Sequence, residues 1–238
     1  MRLLSLIPSS MKERLRKQMG VVTMAGRLRN LRAAGFAPRQ IIDAGAFIGE
    51  WTAMASEIFP DAHFLLIEPQ PQLTQALAAF CGQLGRAVHR SVLLGRSPGE
   101  ARFLIQGSNS RIVGDSENCP PSQVISIPVS RLADVAAEHD FSACEFLKLD
   151  LQGHELEALA GAGDLFGHVE VILIEASWLP IGPCPLAAEV IAMVTGRGYV
   201  LYDVLGFIYR PLDGALWQTD FLFVRGDSPL LARRHDWA

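Results

Sequence analysis

No apolar run in the 238 residues approaches the roughly 20 needed to cross a bilayer as a helix. A secretory leader, with positive charge ahead of a longer apolar stretch, is missing too. The start, MRLLSLIPSS, has a short apolar patch broken by Pro8, and its basic cluster follows. These absences predict a cytoplasmic protein without a transmembrane segment. Cysteine is sparse: Cys81, Cys119, Cys144 and Cys184 lie far apart and form no CxxC pair. That speaks against a structural zinc site and against a disulfide framework. No internal repeat, low-complexity tract or second domain interrupts the chain. What remains is half hydrophobic and 19% charged, the composition of a folded globular core of one α/β domain.

Charge is unevenly spread. Residues 1–32 carry eight Lys/Arg and one acidic residue, a net +7, against −11 for the rest and −4 overall. Residues 1–40 read as a basic helical arm or cap, and residues 41–238 as the main domain. The arm has the charge to touch phosphate, an acidic glycan or the surface of an anionic membrane; the alternative is a solvated cap.

Along the chain, strands alternate with helices. A helix over 11–35 stops at Gly35 with Pro38 beyond. IIDAG (41–45) is a short apolar run closed by glycine. Trp51, Met54, Ala55, Ile58 and Phe59 then recur at helical spacing, and Pro60 ends that helix. HFLLIE (63–68) has the continuous apolar character of a strand buried on both faces. A second helix carries Leu73, Ala76, Leu77 and Phe80. AVHRSVLLG (87–95), EARFLIQ (100–106) and QVISIPV (123–129) read as strands. Ser130 is placed to cap the helix after the last of these, and 107–122 is a polar loop. EFLKLD (145–150) and VEVILIE (169–175) flank a helix, and another helix spans about 185–195. The chain closes on two strand-like runs joined through Asp213-Gly214, an antiparallel hairpin. Such alternation predicts a mostly parallel Rossmann-like sheet with that hairpin at its end.

Ligands of such sheets sit outside the carboxyl ends of the strands. The first strand ends in Asp43-Ala44-Gly45-Ala46-Phe47-Ile48-Gly49. Gly45 permits a sharp turn and a close ligand, and Gly49 opens a helix whose free N–H groups face it. Glu68 ends the second strand, where a carboxylate can accept both ribose hydroxyls. The G-x-G-x-x-G pattern that clears room for a pyrophosphate is absent. Asp43 just before the turn suits a cationic ligand better than a diphosphate. The terminal hairpin points the same way. The predicted cofactor is therefore S-adenosylmethionine, with Asp43, Gly45, Ala46, Phe47, Gly49, Glu68 and Pro69 as its binding set.

IIDAGAFIGEWT, LLIEPQP, FLKLDLQGHELEALAGA, VEVILIEAS, GYVLYDVLG and TDFLFVR together resemble the FkbM family of methyltransferases, over about residues 41–225. The resemblance implies the seven-stranded class I methyltransferase fold. It also implies O-methylation of a hydroxyl on a sugar, glycolipid, polyketide or similar metabolite. It puts Asp43, Gly45 and Gly49 on the first cofactor motif and Glu68 on the ribose position. Asp150, Gln152, Gly153 and Glu155 fall on the motif after the fourth strand, and Glu175 at the end of the fifth. Phe47 departs from it, standing where members often carry Asn, so a backbone contact has to replace a side-chain hydrogen bond there.

Methylating a hydroxyl requires the oxygen in line with the methyl carbon, at about 3–3.5 Å, and a base for its proton. Asp150, His154, Glu155 and Glu175 are the candidates. His154 titrates near neutrality, and Glu155 lies in the first turn of a helix. Asp150 and Glu175 end apolar strands, where a carboxylate is costly unless paired, ligand-bound or solvated. A divalent metal on Asp150 and Glu175 is a less favoured variant, since no third ligand is evident. Ser108, Asn109, Ser110 and Trp178 are candidates for recognising a small-molecule or glycan acceptor. Three rivals stay open: an adenosyl-ligand-binding protein without catalysis, a nicotinamide-dependent oxidoreductase, and a nucleic-acid methyltransferase. No nucleic-acid partner is expected, because LDLQ stands where base methylation uses an NPPY-like tetrapeptide.

Overall fold

The computed structural model describes residues 23–232. The expected helix over 11–35 is observed in its described part as α1 (Met24–Ala33), capped by the Thr23 hydroxyl; residues 11–22, with most of the basic arm, lie outside the described residues. Leu28 and Leu31 of α1 are buried in one core cluster with Ile41.

Seven strands form the main sheet: β1 (Gln40–Ala44), β2 (His63–Ile67), β3 (Ala87–Arg90), β8 (Phe146–Leu149), β9 (Val171–Ser177), β10 (Tyr199–Tyr209) and β11 (Leu216–Arg225). Their order is β10-β11-β9-β8-β1-β2-β3. β1 is central, parallel to β2 and β8, and its residues after Gln40 are buried, as a run flanked by strands and covered on both faces demands. β11 is antiparallel to both β9 and β10. The hairpin forms as expected, with Gly214 at φ 71° in the turn. Strand order reverses at β1, and the next strand on the far side is β8. That reversal opens the ligand crevice at the carboxyl ends of β1, β2 and β8.

Helices α2 (Glu50–Ile58), α3 (Thr74–Leu84), α4 (Leu132–Glu138), α5 (Glu155–Ala160) and α6 (Ala187–Thr195) pack against the sheet. One face of the sheet buries Ile42, Leu65, Leu147, Ile172 and Phe221 with α4, α5 and α6. The other buries Ile41, Phe64, Phe146, Leu173 and Leu222 with α1, α2 and α3. The alternation along each strand divides the two clusters.

Two expectations need correction. The strands between 93 and 130 form their own four-stranded sheet, ordered β4-β7-β5-β6, from β4 (Leu93–Leu94), β5 (Gly99–Leu104), β6 (Arg111–Ile112) and β7 (Val124–Ser130). The polar stretch 107–122 thus contains a short strand, because Ile112 packs with Phe103 and Leu93 of this small core. Ser130 does not cap α4: it is the last residue of β7, and the N-cap is Arg131, with no side-chain bond to the helix. Ser130 is held in the strand by β4, through its pairing with Leu94 and the Gly95 N–H bonded to its carbonyl.

Candidate active site

A cavity of about 360 Å³ opens at the carboxyl ends of β1, β2, β8 and β9, roofed by the small sheet. That is within the range of about 300–1,000 Å³ usual for small-ligand sites. Gly45, Ala46, Phe47, Glu68, Pro69, Ser108, Asn109, Ser110, Asp150, His154 and Glu175 all line it. The structure thus gathers most of the residues singled out in the sequence, across more than a hundred positions of chain. Asp43, Gly49, Glu155 and Trp178 do not line it.

The turn after β1 is built by close backbone approach. Gly45 has φ +80°, and a Cβ there would stand 1.8 Å from the Asp150 carbonyl oxygen. Its lack of a side chain therefore lets the ends of β1 and β8 meet. Phe47 adopts φ 46°, a left-handed conformation that Asn tolerates better than a bulky residue; nothing in the structure explains why Phe stands here. Its main-chain N–H donates to Glu68 Oε2 at 2.9 Å. Gly49, at φ 84°, is the N-cap of α2 and abuts the Phe80 ring; it shapes the turn from behind.

Glu68 is 4% exposed. Its other oxygen, Oε1, accepts the Gln70 N–H at 3.1 Å. Burial pushes its pKa up, while the hydrogen bonds from Gln70 and Phe47 and the charge of Lys148 pull it back. Each oxygen keeps a lone pair beyond these bonds, so a buried acceptor aimed into the cavity fits a ribose diol. Gln70, which the sequence did not flag, also donates from Nε2 to the Gly107 carbonyl at 3.1 Å. It ties the 107–110 loop over this end of the site. Ser110 spends its hydroxyl locally, accepting from Gln106 N–H and donating to the Gly107 carbonyl.

Asp43 is fully buried beneath the turn. Its Oδ2 accepts the Thr52 hydroxyl at 2.7 Å, and its Oδ1 lies 3.0 Å from Lys148 Nζ. The same ammonium donates to the Gly45 carbonyl at 3.0 Å and stands 3.7 Å from Asp150. Burial opposes the charged lysine, but Asp43, Asp150 and Asp220 outweigh it and hold its pKa at about 12. Asp43 therefore acts on the site through Lys148.

Past β8, Gln152 (φ 52°) and Gly153 (φ 109°) turn the chain sharply. A Cβ on Gly153 would meet Pro183 at 2.6 Å. Glu155 is buried and accepts the N–H groups of Leu151 at 2.7 Å and Gly153 at 3.1 Å. Burial pushes its pKa to about 7. It fastens the loop and does not reach the cavity. His154, half-buried on the cavity wall, has its pKa lowered by burial, with Glu157 partly opposing.

Glu175 sits on β9 beside Asp150. Gln152 Nε2 donates to Asp150 Oδ1 at 2.8 Å and to Glu175 Oε2 at 3.4 Å. Gln218 Nε2, at 3.2 Å, and Cys184 Sγ, at 3.4 Å, also donate to Oε2. Burial, then the charges of Asp150, Asp220 and Glu155, push the Glu175 pKa up to about 8. Asp220 lies opposite Glu175 across β9 and β11, and burial with the Asp150 charge raises it to about 6. Neither Asp220 nor Gln218 was singled out in the sequence. Strand alternation in LWQTDFLFVR puts Gln218 and Asp220 on one side of β11, but only the register with Ser177 and Glu175 brings them to the site.

Asp150 and Glu175 do not fit a divalent cation. An ammonium and two amide donors already address them, and among the described residues no group of three or more His, Cys, Asp or Glu is placed to hold a metal. Trp178 turns away from the cavity because its N–H pairs with the Trp217 carbonyl and its indole donates to the Thr219 hydroxyl at 3.0 Å.

A model of the FkbM methyltransferase domain matches residues 43–201, well over half of the chain. The chain belongs to the FkbM methyltransferase family. It is an S-adenosylmethionine-dependent methyltransferase with the Rossmann-like fold of that class. Among curated proteins none matches it. Among solved structures it is similar to the O-methyltransferase TomG of Streptomyces achromogenes, which is involved in tomaymycin synthesis (14% identity, 89% of this chain and 86% of that one, TM-score 0.47). It is also similar to a precorrin-6y C5,15-methyltransferase of Geobacter metallireducens (10% identity, 84% and 87%, TM-score 0.47). Likeness at this level says nothing of the acceptor. Among the described residues of this FkbM methyltransferase no helix is long and apolar enough to cross a membrane.

Proposed function

We propose that this methyltransferase transfers the methyl group to a hydroxyl oxygen of a small molecule such as a sugar, glycolipid or secondary metabolite, with Glu175 as the base. The observation that carries the reading is the dressing of Glu175. Among the described residues its three side-chain donors all address Oε2, and Glu175 lines the cavity. A carboxylate raised to about 8 is a stronger base than an ordinary one, and its basic, deprotonated form grows as pH rises through 8.

S-adenosylmethionine supplies a methyl group already activated on sulfur. Glu68 holds the ribose, and the Phe47 and Gln70 N–H groups hold Glu68. Asp43 and Lys148 fix the turn at Gly45. Gln152 and Gln218 orient Glu175, which would take the hydroxyl proton as the methyl carbon's bond passes from sulfur to that oxygen. Ser108 and Asn109, exposed on the roof loop, are the acceptor's polar contacts. Residues 41–238 form the catalytic domain in this reading, with 1–40 as an N-terminal arm.

The test is a methyl-transfer screen over hydroxylated glycans, phenols and polyketide-like alcohols, read by product mass and by the position of the new methyl. Methyl on oxygen, with kcat lowered ~10²–10⁴-fold in Glu175→Gln, supports it. Methyl found only on nitrogen, sulfur or carbon overturns it.

A further inference from the structure

Beyond the polar end of the cavity lies a patch that the methyl-transfer reading does not use. The β10–β11 hairpin carries Phe207 (55% exposed), Ile208 (45%), Tyr209 (58%) and Leu212 (83%) in one short stretch. Large apolar side chains exposed together are unusual unless something covers them. The patch meets the active site at one residue: Ile208 lines the cavity and stands directly opposite Gln218 on β11, the residue whose amide holds Glu175 at 3.2 Å.

Topology separates this end from the cofactor cradle. Glu68 follows β2 and Ile208 stands on β10, so the two line the cavity from strands five places apart in the order of the sheet. The hairpin is therefore on the acceptor side of the sheet. Charge narrows the choice of occupant. Arg210 is engaged by Asp213 through Nε at 2.9 Å and through Nη2, so the tip offers no free cation to an anionic surface.

We infer that the β10–β11 hairpin is the docking arm for the acceptor, and that the acceptor is a soluble amphiphile with an alkyl or aromatic body next to the hydroxyl that is methylated. This rests on the O-methyltransfer reading above and narrows its acceptor class. Glu175 meets the hydroxyl, and Ile208 with Phe207 and Tyr209 covers the apolar body. A freely hydrated sugar would leave these side chains in water and gain nothing from them.

The test is binding, independent of turnover. The full chain, saturated with S-adenosylhomocysteine, is titrated with methyl, hexyl and octyl β-glucoside below their micelle concentrations. Binding is read by calorimetry and by tryptophan fluorescence, since Trp51 lines the cavity. These probes share every hydroxyl and differ only in the apolar body. Affinity should climb with chain length, at least tenfold from methyl to octyl. The Phe207→Ser/Tyr209→Ser variant should lose most of that rise while its affinity for S-adenosylhomocysteine stays within twofold, which also shows that it folds. Affinity that is absent or independent of chain length overturns the inference. So does a wild-type dimer that the variant dissociates, which makes the patch a self-interface, or vesicle binding that the variant abolishes, which makes it a membrane contact. Failure here with hydrophilic acceptors still methylated on oxygen leaves the O-methyltransfer reading standing. Chain-length-dependent binding with methyl delivered only to nitrogen or sulfur sinks that reading and keeps the docking arm.

Discussion

Removing the Lys148 ammonium should cost this protein more than removing any exposed charge. Its side chain is 9% exposed and that of Asp43 is 0%. Without Lys148, Asp43 keeps only the Thr52 hydroxyl as a side-chain donor, and the Gly45 carbonyl loses its ammonium. Stripping one partner from a buried pair costs about 3–5 kcal/mol, whereas neutralising both can be nearly free. Lys148→Met should therefore lose ~3–5 kcal/mol of unfolding free energy. Adding Asp43→Asn should recover ~1–3 kcal/mol of it. The lysine's pKa is raised from 10.5 to about 12, so its contribution is complete below pH 10.5 and fades only as pH climbs towards 12. Urea unfolding at pH 8, followed by circular dichroism, reads it in full. A loss under about 1 kcal/mol in Lys148→Met, the range of surface pairs, would refute the reasoning. So would a double variant weaker than the single one.

Two further outcomes follow from the carboxylates. Glu175 and Asp220 have raised pKa values, about 8 and about 6 against 4.5 and 3.8. Their protonated forms suit the fold, so stability from them is full below about pH 4 and is lost as pH rises from there through 8. The Tm of the cofactor-free protein should fall from pH 5 to pH 8.5, and Glu175→Gln/Asp220→Asn should flatten that fall; parallel curves would contradict it. Glu155→Ala should strand the half-buried N–H groups of Leu151 and Gly153, at about 1–3 kcal/mol for the two together. Hydrogen exchange should quicken at 151–153, and Glu155→Gln, which retains an acceptor, should restore much of the loss. Unchanged exchange in the alanine variant would show that the loop does not depend on this carboxylate.

The central sheet was legible because its strands are nearly pure apolar runs. IIDA and HFLLI can only be buried on both faces, and each ends at a residue with chemistry. The terminal hairpin was legible from Asp213-Gly214. The small sheet was not: β5 and β7 read as strands, but half-exposed alternation does not say which sheet a strand joins. At the site, the sequence singled out Glu68, Asp150, His154 and Glu175 because each follows a strand. It did not foresee that Asp43 turns inward to Lys148 or that Glu155 bonds its own loop, because strand-end position fixes where a carboxylate begins, not what it finds within reach. Trp178 illustrates the same limit. Its direction is set by Trp217 and Thr219, some 40 residues further along the chain. Gln218 and Asp220 gain their meaning only from register with Ser177 and Glu175, which no local pattern contains.

The most direct test of the account is calorimetric titration of the wild type and of Glu68→Ala with S-adenosylhomocysteine. The account predicts micromolar binding by the wild type. It predicts a loss of roughly 10–100-fold in the variant, the worth of about 1.5–3 kcal/mol of hydrogen bonding to a charged group. Equal affinity in the two proteins, or no binding by the wild type, would contradict the placement of the cofactor at the ends of β1 and β2.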